Sequence, residues 1–210
     1  MRYGMVIDLK RCIGCYGCQI FCKSEKASPP GMLLSRVLFY ESGTYPEVRK
    51  TPLPVLCMQC KAPACVDVCP TGASVKRPDG IVIVESKKCT GCLNCVMACP
   101  YGARHLYQGD KEHFPGQGLT PYEEEGYKKH TAGVIEKCDF CLPRISKRLE
   151  PACVQNCMAQ ARFFGDLDDP ESEVSQLLRD GEGFHVYPAT CPGEEETTPE
   201  EEPSVYYLAP

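Results

Sequence analysis

Residues 89–100 read Cys-Thr-Gly-Cys-Leu-Asn-Cys-Val-Met-Ala-Cys-Pro. Three thiols at i, i+3 and i+6, on a loop curled by Gly91, can converge on three corners of one iron–sulfur cubane. The C-x2-C-x2-C-x3-C-P spacing is a signature of such a site. The fourth thiol, Cys99, sits across a short turn, and Pro100 directs the chain away. In chains that hold two cubanes the fourth cysteine of such a run ligates the other cluster, so one run predicts a second. This sequence carries four quartets: Cys12, Cys15, Cys18, Cys22; Cys57, Cys60, Cys65, Cys69; Cys89, Cys92, Cys95, Cys99; and Cys138, Cys141, Cys153, Cys157. Only cysteine supplies soft anionic sulfur of this kind once metal is bound.

Sixteen cysteines in four quartets predict four [4Fe-4S] clusters. If each quartet gives three ligands to one cluster and one to its partner, the second and third quartets pair as neighbours in sequence. Cys57, Cys60, Cys65 and Cys99 then hold one cluster, and Cys89, Cys92, Cys95 and Cys69 the next. By elimination, Cys12, Cys15, Cys18 and Cys157 form a third site, and Cys138, Cys141, Cys153 and Cys22 a fourth. Zinc is the competing metal for C-x2-C pairs, and it favours two such knuckles a dozen or more residues apart. The fourth quartet alone has that look; three consecutive i+3 ligands do not. Disulfide frameworks belong to short secreted chains, whereas these cysteines fall in tight quartets. Cys191, the seventeenth, belongs to no quartet and is expected not to be a ligand.

The remaining chain offers no catalytic constellation. His105, His113, His130 and His185 lack motif spacing, and Gly14 and Gly17 serve the curvature of a ligand loop rather than a phosphate. Arg144, Lys147 and Arg148 read as a solvated face. With no substrate constellation, the chemistry to expect is electron movement, with potentials tuned by burial and by hydrogen bonds to sulfur.

The elements that must position these thiols are short. Residues 4–9 read as a strand feeding the first quartet, 19–23 as the first turns of a helix, and Ser28-Pro29-Pro30-Gly31 as its break. Residues 33–40 have the β-branched and aromatic content of a strand, and 41–54 read as a turn-rich connection. Residues 81–84 form a strand after the turn Arg77-Pro78-Asp79-Gly80. Residues 104–133 fail every periodicity test and read as a long insertion, a length that marks function or contact. Asp169 is a candidate N-cap with Pro170 at N1 of a helix over 171–179, and 204–208 read as a closing strand. Cys-Pro-Thr-Gly-Ala at 69–73 echoes Cys-Pro-Tyr-Gly-Ala at 99–103, the trace of one ferredoxin-like unit used twice. The expectation is an α+β fold of two ferredoxin-like two-cluster modules with short strands, short helices and long loops. One module comprises 1–52 and 134–180, the other 53–103; 104–133 is an insertion loop and 181–210 a C-terminal extension with an acidic loop.

Net charge is −5 over 210 residues, and six glutamates in 194–202 account for it. The body is close to neutral, which speaks against a nucleic-acid surface. The opening residues hold no apolar signal core, and no stretch approaches the ~18 apolar residues of a membrane span. A protein soluble by itself, made where thiols stay reduced, is expected.

The pattern resembles the electron-transfer subunit of the dimethyl sulfoxide reductase family of molybdopterin enzymes. The residues that carry the resemblance are Tyr3-Gly4-Met5-Val6-Ile7-Asp8 through Cys15, the two Cys-Pro-x-Gly segments, Pro151-Ala152-Cys153, and Gly165-Asp166-Leu167-Asp168-Asp169-Pro170. It runs from about residue 3 to 180, with 205–208 similar to the family's closing strand. Polysulfide, thiosulfate, tetrathionate and respiratory arsenate reductase small subunits look nearest. The resemblance implies a large catalytic subunit holding molybdenum or tungsten on a bis-guanine-dinucleotide molybdopterin, which resides in that partner and not in this chain. In some members it also implies a membrane quinone-handling subunit, and it places the first-and-fourth-quartet pair nearer the large subunit. Met158 stands where many members have proline after the last cysteine. Members without their own signal can be exported folded with a twin-arginine-bearing partner. Assembly in the cytoplasm is therefore expected, with a final site either there or in the periplasm. The alternatives are a free soluble polyferredoxin serving several enzymes, and a zinc scaffold.

Overall fold

The computed structural model describes residues 1–181, 183–186 and 202–209. Its sheets are small and its helices short, an α+β architecture threaded by the cysteine loops. β1 (Tyr3–Asp8) lies inside a four-stranded sheet, antiparallel to β8 (Arg162–Asp166) on one side and parallel to β10 (Val205–Leu208) on the other; β9 (Gly183–Phe184) borders β10. Being central, β1 buries four consecutive residues, Gly4 to Ile7. That is why its alternation is weak in the sequence. Gly4 is required there, because a Cβ would run into Leu167 and the Ser204 carbonyl.

The three other sheets are hairpins, and together with β1/β8 they follow one rule. The strand after the last cysteine of a quartet pairs with the strand before the first cysteine of the next. β2 (Ser35–Ser42) and β3 (Arg49–Leu56) join the first quartet to the second, β4 (Ser74–Lys76) and β5 (Val82–Val84) the second to the third. β6 (Arg104–Leu106) and β7 (Ile135–Lys137) join the third to the fourth. β8 and β1 then close the ring from the fourth quartet back to the first.

Several elements differ from the reading of the sequence. Residues 41–54 are not simply a connection: β3 begins at Arg49 and takes up their second part, with Pro52 opposite Phe39 and Pro54 opposite Val37. Proline cannot donate to a ladder, so it hides a strand from pattern reading and is tolerated where the strand has a free edge. Residues 104–133 are not structureless either. They hold β6 and α4 (Pro121–Tyr127), whose N-cap Thr120 and N3 residue Glu123 form a reciprocal capping box. Tyr107, Glu123 and Tyr127 from this segment are buried. The last helix, α7 (Glu173–Asp180), is capped by Ser172 and not Asp169. Asp169 instead accepts from the Glu171 N–H at 2.9 Å, an Asx turn one step upstream.

α1 (Gly17–Lys26) ends at Ala27, whose left-handed backbone bonds back to the Lys23 and Ser24 carbonyls. Among the described residues four one-turn helices complete the set: α2 (Ala64–Asp67), α3 (Asn94–Met97), α5 (Leu142–Ile145) and α6 (Ala152–Gln155). The main core gathers Met5, Ile7, Leu53, Val55, Val205 and Tyr207 with several of the cysteines. Among the described residues no helix is long and apolar enough to cross a membrane. Cys191 and most of the acidic loop lie outside the described residues; Glu202, at its end, pairs with Lys61 at 2.6 Å.

Candidate iron–sulfur centres

Each quartet is shaped by the same backbone device. The residue just before its second cysteine has a left-handed φ: Gly14 at 67°, Gln59 at 49°, Gly91 at 68° and Phe140 at 53°. The loop therefore curls so that successive cysteines face one point. Glycine adopts this conformation freely, while Gln59 and Phe140 require compensation. Phe140 is buried edge-on against Phe164. Gln59 is fully buried, accepts from the Val82 N–H at 2.8 Å and donates to the Cys138 carbonyl at 2.7 Å. Gln59 so ties the second quartet to the fourth.

The third cysteine of every quartet, Cys18, Cys65, Cys95 or Cys153, lies in a short helix, and the fourth follows four residues later. One helical turn thus stands between the two positions. Cys89, Cys92 and Cys95 line a cavity whose fourth cysteine is Cys69, from the preceding quartet, and not Cys99. Cys12, Cys15 and Cys18 line another, with Cys157 from the far end of the chain. Cys22 lies close enough to Cys141 and Cys153 for their charges to act on it, and Cys138 is likewise coupled to Cys22, Cys153 and Cys141. Cys65 is coupled in the same way to Cys57 and Cys99, with Cys60 half-buried on the same loop. Among the described residues no three His, Cys, Asp or Glu side chains close on a single metal ion.

Electrostatics suit bound thiolates. Burial first, then neighbouring thiols, pushes Cys22 and Cys138 well above the usual thiol range, and burial raises Cys153 and lifts Cys141 to about 11. A cation must therefore stabilise the anionic sulfur that a metal site needs. Cys69 is the exception. Although its partial burial works upward, the Ser74 N–H at 3.4 Å and the Thr71 groups bring it down to about 7. The Ala161 N–H points at Cys157 in the equivalent way, at 3.3 Å. Positive charge is built in as well. Arg104, 3% exposed, donates to Cys65 Sγ at 2.9 Å, and Arg162, 4% exposed, faces Cys18 and Cys153. Lys137 is buried with its ammonium on the Val82 and Cys138 carbonyls. The donor set, the cavities and these charges fit iron–sulfur cubanes.

Sequence reasoning missed Gln59, Arg104, Lys137 and Arg162. A signal existed: Arg104 and Arg162 each stand five residues after the last cysteine of a quartet. The histidines have structural partners. His113 bonds Glu123 at 2.7 Å, and His130 bonds Glu136 at 2.9 Å and the Lys26 carbonyl while stacking on Tyr107. His185 bonds the Val205 carbonyl, and His105 is lowered by burial and by Arg36. Arg144 is held by Glu25 and by the Glu150 carbonyl rather than solvated.

Left-handed ligand loops, thiols shared between quartets and buried cations define an iron–sulfur protein of the ferredoxin type. Residues 48–114 and 111–167 each match the 4Fe-4S dicluster domain family. Over 99% of its length the chain is 40% identical to a subunit of the selenate reductase of Mesobacillus selenatarsenatis, covering 72% of that protein. It is 36% identical, again over 99%, to the arsenate respiratory reductase iron–sulfur subunit of a Shewanella species, covering 96% of it. A subunit of the tetrathionate reductase of Salmonella typhimurium is 39% identical over 84% of the chain and 63% of its own length. The chain belongs to the family of iron–sulfur electron-transfer subunits of dimethyl sulfoxide reductase-type molybdopterin oxidoreductases.

Proposed function

We propose that the chain holds four [4Fe-4S] clusters in two two-cluster modules and relays electrons to or from a molybdenum- or tungsten-pterin catalytic subunit. The proposed ligand sets are Cys12, Cys15, Cys18, Cys157; Cys138, Cys141, Cys153, Cys22; Cys57, Cys60, Cys65, Cys99; and Cys89, Cys92, Cys95, Cys69. The observation that carries the reading is the pair of four-cysteine cavities, each of which takes one cysteine from a different quartet. Each bound cluster would supply a one-electron carrier; the chain's own residues hold the sulfurs apart, keep water away and set the charge around them.

Proximity between cysteines of different sites supports a linear order. Arg104 joins Cys65 to Cys95, Cys138 lies in the field of Cys57, and Cys153 in that of Cys18. The relay would run from the Cys89 site through the Cys57 and Cys138 sites to the Cys12 site. Its ends are the accessible ones, since Cys92 and Cys15 are exposed while Cys57, Cys138, Cys141 and Cys153 are buried. A membrane quinone-binding subunit or another external redox partner would meet the Cys89 end.

Metal analysis of the complex, isolated without oxygen, tests this. About sixteen iron per chain, the content of four cubanes, with one molybdenum or tungsten in a co-purifying large subunit, is the expected result. Iron without a pterin metal or large subunit would point to a free polyferredoxin. Zinc in place of iron would overturn the electron-transfer reading.

A further inference from the structure

Arg104 and Arg162 are sealed among the cysteines, and their hydrogen-bond partners are sulfur and hydroxyl groups. Arg104 donates to Ser74 Oγ at 2.7 Å and to Cys65 Sγ at 2.9 Å, and it lies close enough to Cys95 for their charges to interact. It therefore bonds a thiol of the proposed Cys57 site and stands beside one of the Cys89 site. Ser74, which receives its other bond, stands five residues after Cys69 as Arg104 stands five after Cys99. The two equivalent positions of the repeat meet each other, but only one is cationic. Arg162 has the same place in the other half, five residues after Cys157. It lines the cavity of Cys12, Cys15, Cys18 and Cys157, lies close enough to Cys153 for their charges to interact, and is held by Ser35 Oγ at 3.5 Å and Met5 Sδ at 3.9 Å. It too stands between two proposed sites.

We propose that each of these guanidiniums sets the reduction potentials of two cluster sites together: Arg104 those of the Cys57 and Cys89 sites, Arg162 those of the Cys12 and Cys138 sites. This rests on the four-cluster reading above. A site that gains an electron gains negative charge, and a fixed cation beside it favours the reduced form. Burial removes the salt and water that would screen it. Arginine suits the task because its fork can serve two acceptors and it does not lose its proton. Sharing one charge between two neighbours raises both potentials together, so the charge does not drive them apart and does not obstruct passage of an electron in either direction.

The test is a redox titration, followed by paramagnetic resonance, of the full chain in complex with its partner subunit. Iron content is measured first, because fewer than four clusters in the unaltered chain would defeat the four-cluster reading and leave this inference without its premise. In Arg104→Met two of the four signals are expected to shift negative by at least a tenfold change in reduction equilibrium, 59 mV for one electron, with the other two unmoved. In Arg162→Met the complementary pair is expected to shift. Unchanged potentials with full iron, or an equal shift of all four, would overturn the proposal. If Arg104→Met fails to load iron, Arg104→Gln decides, because it keeps hydrogen-bond donors and removes only the charge. The same two potentials are expected to fall, and two unchanged potentials with full iron would refute the shared role.

Discussion

Replacing Gln59 with leucine should shorten the life of the cluster-bearing fold by one to three orders of magnitude. Gln59 is fully buried and makes two hydrogen bonds, from the Val82 N–H and to the Cys138 carbonyl. Leucine keeps the volume and leaves the left-handed backbone strain as it is, so the effect comes from the two lost bonds. They are not equal. The Cys138 carbonyl keeps a second donor, Lys137 Nζ, at 2.6 Å. Its loss therefore costs only the net value of a bond, about 0.5–1.5 kcal/mol. The Val82 N–H is left buried with no acceptor, which costs about 1–3 kcal/mol. The sum is about 1.5–4.5 kcal/mol, or roughly 10- to 1,600-fold at 1.4 kcal/mol per decade. The assay is the rate at which the visible absorbance of the clusters bleaches in a fixed concentration of guanidinium, without oxygen. The two bonds join loops distant in sequence, so their loss is expected mainly in the unfolding rate. A change below threefold, in protein that starts with full iron, would show that Gln59 does not tie the second quartet to the fourth.

Four further outcomes are expected. Cys92→Ser should lower iron by about one cubane's share, while Cys191→Ser leaves iron unchanged; iron loss in the Cys191 variant would break the ligand assignment. Gly91→Ala should also cost the Cys89 cluster, because φ is +68° there and a Cβ would meet the Gly133 carbonyl; unchanged iron content would refute this. Thr120→Ala should loosen α4 by about 1 kcal/mol through loss of its cap, seen as faster amide exchange over 121–127 with the clusters unaffected. Glu123 is held down to about 2, from an ordinary 4.5, chiefly by the Thr120 hydroxyl and N–H. Its folded value is depressed, so its stabilisation is complete above pH 4.5 and fades as pH falls toward 2. Glu123→Gln should therefore flatten the acid dependence of exchange in that helix, and an unaltered profile would exclude the carboxylate as its cause.

Much of the candidate site was legible because ligand spacing is a local property. Three cysteines three residues apart, with a glycine between, announce the loop, and Cys-Pro-x-Gly-Ala announces its end. What was hidden depends on contacts across the chain. Gln59 and Phe140 adopt a glycine's conformation because burial holds them, and neither residue type signals that. Arg104 and Arg162 look like surface cations until folding surrounds them with thiols. β3 was concealed by Pro52 and Pro54, whose missing donors matter little in a two-stranded sheet. In 104–133 the cap Thr120-Pro121-x-Glu123 was visible as a local signal, but the length and polarity of the segment outweighed it. The Ser172 cap was displaced in the reading by Asp169, because both residue types are good caps and only the turn at Asp166–Asp169 decides between them.

The ring of strand pairings has a consequence for biosynthesis. Met5 lies beside Val205 and Phe164, so the first strand to leave the ribosome finds its neighbours only after nearly all the chain has followed. On the proposed pairing, the second and third quartets, joined by a short hairpin, would be able to take up iron before the fourth quartet is made. The first would have to wait for the fourth. Contacts so distant in sequence are slow to form, and an apolar strand left waiting is prone to aggregate. A maturation factor that delivers clusters would therefore meet a half-built protein, with one pair of sites filled and the other held empty by chain order alone.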